Sequence, residues 1–356
     1  MKILSILLRR HCVNDLGKFN CVSCLLDTES NATEFDTFKT YRREFKEILH
    51  RTHPHLVVME TCSITGWVHD LCVEQDYRVL VADPSQDAWR WKNVKRQTDK
   101  DDALKLAKLA ALEQINPVYV PAPKTRQYRH WVKYRKVVVG RINRVQNAIR
   151  ALFDQQGVKI PSGHRAWTVQ GIDELSQHRR VLAECDEYNL WRGELDLELT
   201  MLDQLWEHQA TIERKLELLA KQEARIQLLQ TIPGFGRKTA EVIVICLDDP
   251  KRFENSRQVS AYAGLIPQQH QSGQTNRLGK ITKRGSRLLR TALVEVAWIM
   301  LRYNEWAAAT YARISGGQKT RKKTAIVAVA RKLLVRCWAM LLHNQPWNPE
   351  LAQPTI

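Results

Sequence analysis

The sequence predicts an α/β domain followed by a long, all-α remainder. Two observations carry this. Through roughly the first hundred residues, short apolar or β-branched runs alternate with stretches of helical spacing, the pattern of a layered fold built on a mixed sheet. From Lys124 onward, apolar residues recur at intervals of three and four, and helices dominate. The 356 residues suffice for two or three domains, and a hydrophobic share of 44% excludes a disordered chain.

Each element has its own signal. Residues 20–26 are a short apolar run closed by Asp27, and 32–38 offer a second strand. Residues 41–50 put Phe45, Ile48 and Leu49 on one helical face. Leu56-Val57-Val58-Met59 is a buried-strand run that ends at Glu60. Residues 64–75 read as helix and 77–82 as strand, stopped by Asp83-Pro84. Residues 99–112 are helical again, and 117–121 form an extended exit. After the helical stretch 124–150, a long helical run covers 174–230, with few breakers beyond Gly193. There Leu195, Leu199, Leu202, Trp206, Ile212, Leu216 and Leu219 approximate a coiled-coil seam, suited either to a hairpin within one chain or to a dimerisation arm. Thr231-Ile-Pro-Gly-Phe-Gly236 then joins two apolar helices in a helix-hairpin-helix-like turn, which aims backbone N–H groups at a phosphate. Residues 268–279 read as a polar, irregular loop. Lys280, Lys283, Arg284, Arg287 and Arg290 open a helix that is apolar by 292–300, and a basic cluster at 319–323 precedes the apolar helix 325–342. The implied divisions are 1–122, 123–226, 227–345 and a loose tail, 346–356.

Lys and Arg total 55 against 38 Asp and Glu, a net charge of +17, which suits a polyanionic partner. The charge is most one-sided over 124–150. Lys124, Arg126, Arg129, Lys133, Arg135, Lys136, Arg141, Arg144 and Arg150 fall there without a single acid, interleaved with Tyr128, Trp131 and Tyr134. Cations neutralise phosphates and aromatic rings stack on unpaired bases, so this helix is the candidate nucleic-acid surface. The plainer alternative is a solvated face whose aromatics belong to the core. The eight cysteines lie mostly in apolar runs, as reduced thiols of a cytoplasmic protein do. Cys21 and Cys24 form one C-x-x-C with no second pair at zinc-site spacing. No apolar run is long enough to span a membrane, and residues 1–8 read as part of the fold rather than a signal peptide.

The chemistry concentrates at Asp99 and Asp102. Three residues apart at the start of a helical pattern, they share a face, while Lys100 and Asp101 are turned off it. Neighbouring carboxylates repel, and a hard divalent cation such as Mg²⁺ relieves that repulsion through oxygen ligands. With Glu60 upstream, the pair points to metal-assisted phosphodiester chemistry.

Several motifs, in order along the chain, resemble one family: Met59-Glu60, Thr98-Asp99-x-x-Asp102-Ala103, Ile232-Pro-Gly-Phe-Gly236, Ala263-Gly-Leu-Ile-Pro267, Ser272-Gly273 and Ile281-Thr-Lys-Arg-Gly285. Over about residues 13 to 342 the chain resembles the DEDD-type insertion-sequence transposases. These include the bridge-RNA-guided serine recombinases and are similar to the pilin-gene invertases. The resemblance implies a RuvC/RNase H-like first domain whose four metal-binding acids are Asp15, Glu60, Asp99 and Asp102. Asp15 is assigned from Val13-Asn14-Asp15-Leu16-Gly17-Lys18; Asn14 departs from the family's apolar residue, the strand before Asp15 is short, and a polar side chain there needs a hydrogen-bond partner. The resemblance further implies Ser272 as nucleophile in the C-terminal transposase domain. Arg277, Lys280 and Lys283 would stabilise charge on phosphorus, with Arg284 in the same basic surface, and His270 is a candidate for proton transfer. Expected partners are donor and target DNA, a structured guide RNA and further copies of the chain in a dimer or tetramer, with Mg²⁺ as cofactor. The expected place of action is the bacterial cytoplasm, at the nucleoid. Two readings stay open beside recombination: a RuvC-like nuclease or junction resolvase that activates water, and a catalytically decayed nucleic-acid-binding protein.

Overall fold

A computed structural model describes residues 10–83, 98–272 and 275–350. The expectation for residues 1–8 lies outside them. The chain divides into two compact units, 1–123 and 124–356.

The first unit is a five-stranded mixed sheet between helices. Its strands are β1 (Arg10–Leu16), β2 (Asn20–Asp27), β3 (Thr33–Lys39), β4 (Leu56–Glu60) and β5 (Arg78–Ala82), in the order β3-β2-β1-β4-β5. The three leading strands are antiparallel; β4 and β5 run parallel to β1. Helices α1 (Arg42–Thr52) and α2 (Thr65–Glu74) supply Phe45, Ile48, Leu49, Val68 and Leu71 to one face, against Cys12, Leu16, Val57 and Met59. Helix α3 (Asp99–Ala111) supplies Ala103, Leu106 and Ala107 to the other, against Val13, Val22 and Val58. Strand residues alternate between these two cores, as the period of two requires. The exit segment at Pro117 bridges back to Ala82.

Two expectations for this unit change. Strand β1 is not short: it begins at Arg10 and takes in His11, which is buried despite its polarity. Neither ring nitrogen of His11 has a hydrogen-bond partner, and burial, helped by His55, lowers its pKa. Asn14 is buried on the same strand. It does not find the partner it needs: Nδ2 reaches only the Cys12 sulfur at 3.8 Å, and Oδ1 has none. The C-x-x-C pair is split by the strand, Cys21 facing one core and Cys24 the other, so the two thiols share no site.

Among its described residues the second unit is helical apart from one hairpin and connecting turns. It contains α4 (Pro123–Gln155), α5 (Val169–Ser176), α6 (Leu190–Lys221), α7 (Ala224–Gln230), α8 (Arg237–Leu247), α9 (Ser256–Tyr262), β6 (Pro267–Ser272), β7 (Thr275–Ile281), α10 (Arg287–Met300), α11 (Glu305–Ser315) and α12 (Lys322–His343). One hydrophobic core runs from Val132 on α4 to Leu341 on α12 and includes the seam residues Leu195, Leu199, Leu202, Ile212 and Leu216. The seam is thus filled within this chain.

The expected continuous helix over 174–230 is interrupted. Asp186 and Asn189 exchange hydrogen bonds across a tight turn, and Asp186 also accepts from the Tyr188 N–H, so local side-chain bonding displaces helix until Leu190. Gly193, read as a breaker, lies inside α6; a Cβ there would collide with Leu182, so glycine lets the preceding turn pack onto the helix.

Candidate active site

The acids are brought together by the ends of three elements. Asp15 lies near the C-terminal end of β1 and, by alternation, on the face covered by α3. β4 is paired with β1 so that Asn14 stands opposite Met59, which puts Glu60 beside Asp15 at the same sheet end. Asp99 and Asp102 are on the first turn of α3, and that helix packs across β1, β2 and β4.

The electrostatics report the convergence. Burial, and then the charges of Asp99 and Asp102, hold the Asp15 carboxyl above the ordinary aspartate range. Burial, and then Asp15 and Asp102, push Glu60 up to about 7. Among the described residues, no group of three or more His, Cys, Asp or Glu side chains is close enough to enclose an ion as it stands. Asp15 feels Asp99 and Asp102, and Glu60 feels Asp15 and Asp102, without a finished cage. As a donor set they are all carboxylate oxygens, the chemistry that suits a hard cation such as Mg²⁺.

Asp101, the third acid of this turn, has another task. Its Oδ2 accepts from the Thr98 N–H at 3.1 Å and the Thr98 hydroxyl at 2.7 Å, while its own N–H donates to Thr98 Oγ1. This capping box closes the first turn of α3 and fixes where Asp99 and Asp102 begin. The signal was present in the spacing Thr98-x-x-Asp101.

Ser272 is not on an irregular loop. It ends β6, opposite Thr275 of β7, in an antiparallel ribbon. The ribbon's described positions Gln268, Gln269, Arg277, Gly279 and Lys280 are exposed, so no apolar alternation marked the strands. The available signal was the two-residue spacer Gly273-Gln274, a glycine-first pair that favours hairpins. Two motif glycines anchor the ribbon's root. Gly264 and Gly285 have positive φ, and a Cβ on either would overlap a carbonyl oxygen of the facing segment, that of Arg284 or Tyr262. The close approach lets Thr282 N–H donate to Ile266 and Lys283 N–H to Gly264. Lys283 itself adopts a left-handed backbone (φ 54°) beside this joint. The turn 231–236 likewise needs Gly234 at φ +84°, between α7 and α8.

Two family profiles match the chain. One, a DEDD transposase profile of the IS110 type described as "Transposase", covers residues 14–157 and so all four acids. The other, "Transposase IS116/IS110/IS902 family", covers 226–313 and so the hairpin. The chain belongs to the IS110 family of DEDD transposases. It is therefore an enzyme of DNA strand transfer. Among relatives, a probable family 20 transposase of Pseudomonas aeruginosa is 27% identical over 86% of this chain and 90% of its own length. The transposase for insertion sequence element IS1328 of Yersinia enterocolitica is 25% identical over 84% and 87%. The pilin gene-inverting protein of Moraxella bovis is 24% identical over 83% of each chain.

The basic residues of the transposase divide into two groups. Lys124, Lys133, Arg141 and Arg144 stand exposed along α4, and Arg277, Lys280, Lys283 and Arg284 are exposed around the hairpin. Trp131 is exposed among the α4 cations and packs edge-on against Tyr134. Arg126 is half-buried. Two expected nucleic-acid contacts are instead structural. Arg135 is buried and pairs with the fully buried Glu241 at 2.8 Å, with Glu213 3.5 Å away. Arg129 donates twice to the Ile245 carbonyl, at 3.2 and 2.6 Å, and satisfies the last turn of α8. Sequence alone did not separate them because the whole 124–150 segment lacks acids; their partners come from α6 and α8. No helix among the described residues is long and apolar enough to cross a membrane.

Proposed function

We propose that this transposase cuts and rejoins DNA through a phosphoserine at Ser272, with Asp15, Glu60, Asp99 and Asp102 holding Mg²⁺. When bound, the ion supplies charge neutralisation at the acids and Lewis-acid polarisation of a DNA phosphate. The observation that carries the reading is the placement of Asp15 and Glu60 side by side at one sheet end, with α3, which bears Asp99 and Asp102 on its first turn, packed across β1 and β4. The strand order, with three antiparallel strands followed by two parallel to β1 and acids at β1, β4 and α3, supports a RuvC/RNase H-like domain.

In the proposed step, the Ser272 oxygen attacks phosphorus, its proton passes to solvent or a neighbouring base, and the sugar oxygen leaves with a proton. One P–O bond forms as one breaks. A second DNA hydroxyl then attacks the phosphoserine and releases Ser272 unchanged, so phosphodiester energy is conserved without ATP. Exposed Arg277, Lys280 and Lys283 suit the charge that develops on phosphorus. The exposed cations of α4, with Trp131, suit a structured guide RNA. Donor and target DNA, a dimer or tetramer, and action at the bacterial nucleoid complete the reading.

A water-using nuclease is the second reading, favoured by one feature: all four acids lie in the first unit and need nothing from the hairpin. The binding-only alternative loses support because Asp15 lies within the field of the other acids. A strand-exchange assay without ATP, on end-labelled donor and target with and without the candidate guide RNA, separates these readings. Recombinant junctions are expected; hydrolysed ends alone favour the nuclease.

A further inference from the structure

The second unit holds a cavity of about 520 Å³ at the root of the hairpin, with no residue of α4 in its lining. Its walls are apolar at Ala261, Ile266, Pro267 and Val335, and Trp306 is part of the lining. Its charged residues are all positive: Arg257, Arg331, Lys332 and Arg336, with no acid in the lining. Arg257 is exposed, and neither it nor Arg331 has an ion-pair partner among the described residues. The indole Nε1–H of Trp306 is buried without an acceptor, which leaves an unmet donor beside the cavity.

The cations crowd one another. Burial, Arg313 and Arg331 all lower the pKa of Lys332, and burial lowers that of Arg336, which lies over the Trp347 ring at 3.8 Å and the Trp306 ring at 4.8 Å. An anion relieves such a cluster. The apolar walls and indole call for a flat, partly apolar body with hydrogen-bond acceptors, and the volume is that of a small-ligand site. A nucleotide has both parts: a base to lie in the cleft and a phosphate for the cations.

We propose that this cavity receives one unpaired nucleotide of a bound nucleic-acid strand, its base against Trp306 and its phosphate on Arg257 and Arg331. This rests on the reading of the chain as a nucleic-acid recombinase. Strand β6 lines the cavity at Pro267 and ends at Ser272, about 17 Å further on at strand spacing. A nucleotide held here fixes the register of its strand relative to the hairpin tip.

The test compares fully paired duplexes with the same duplexes carrying one unpaired 2-aminopurine, as DNA and as RNA, on the full-length protein. The expected result is about tenfold tighter binding of the unpaired form in one of the two nucleic acids, with quenched 2-aminopurine fluorescence. Arg257→Ala with Arg331→Ala should remove that preference and leave binding of the paired duplex unchanged. Trp306→Phe should keep the preference while weakening the quenching. Equal affinity for paired and unpaired forms, or a preference the double variant retains, overturns the proposal while leaving recombination intact. Competition by polyglutamate as strong as by the oligonucleotide also overturns it, in favour of an acidic protein segment. Absence of binding to any nucleic acid contradicts the functional reading as well.

Discussion

In the first unit the candidate catalytic side chains sit at the ends of buried elements; in the second, Ser272 ends one strand of a two-stranded ribbon. The acids inherit their positions from packing: β1 and β4 are central strands, α3 is clamped across them, and a capping box sets its first residue. The hairpin inherits its position from backbone, through Gly264 and Gly285 at its root. The first arrangement charges the site with repulsion that burial strengthens. The second leaves its basic groups exposed to solvent.

This contrast can be broken in several places. The largest effect is expected at the acids: Asp102→Asn should lower strand transfer by about a thousandfold or more while the protein stays folded, measured by junction formation and circular dichroism. Retained activity would remove that acid from the mechanism. Next, Arg135→Met removes one of the two arginines that pair with the buried Glu241, leaving Arg237, and should cost about 1.5–3 kcal/mol in denaturant unfolding. Lys133→Ala, on the exposed face of the same helix, should leave stability within about 0.5 kcal/mol and instead weaken RNA or DNA binding with a shallower salt dependence. Equal behaviour of the two would erase the division between structural and surface cations.

The raised pKa of Glu60 gives a pH effect of known sign. Its folded value, about 7, lies above its ordinary 4.5. Its contribution to the stability of the metal-free protein is therefore full below about 4.5 and lost as pH rises through 7. Mg²⁺ needs the ionised form, so affinity should fall by up to about tenfold per pH unit below 7, with proton release on binding near pH 7. Calorimetry in buffers of different ionisation enthalpy measures this; a pH-independent affinity would detach Glu60 from the metal. The smallest effect is at Asn14. Its Oδ1 is buried without a partner, so Asn14→Val should stabilise the first unit by about 1 kcal/mol, read in thermal or denaturant unfolding.

How legible each region was follows from the same contrast. The strands of the first unit announced themselves because Leu56-Val57-Val58-Met59 and its neighbours are buried on two faces, and α3 because its apolar residues keep helical spacing. The start of β1 was hidden because the polar His11 and Asn14 occupy buried strand positions. The hairpin was hidden because Gln268 to Ser272 carry no apolar alternation, and the break before α6 because Asp186 and Asn189 act through local bonds that periodicity does not report. The fate of Arg135 was illegible for another reason: its partners Glu213 and Glu241 are distant in sequence and belong to other helices.

The central claim concerns how Ser272 uses what the acids provide. The direct measurement incubates the transposase with nicked suicide DNA and Mg²⁺, digests the trapped complex and locates the attachment by mass spectrometry. A phosphoserine at Ser272, absent in Ser272→Ala although that variant still binds Mg²⁺ as the wild type does, is the predicted result. Cleaved DNA with free ends and no protein attached, or an adduct on another side chain, would contradict it.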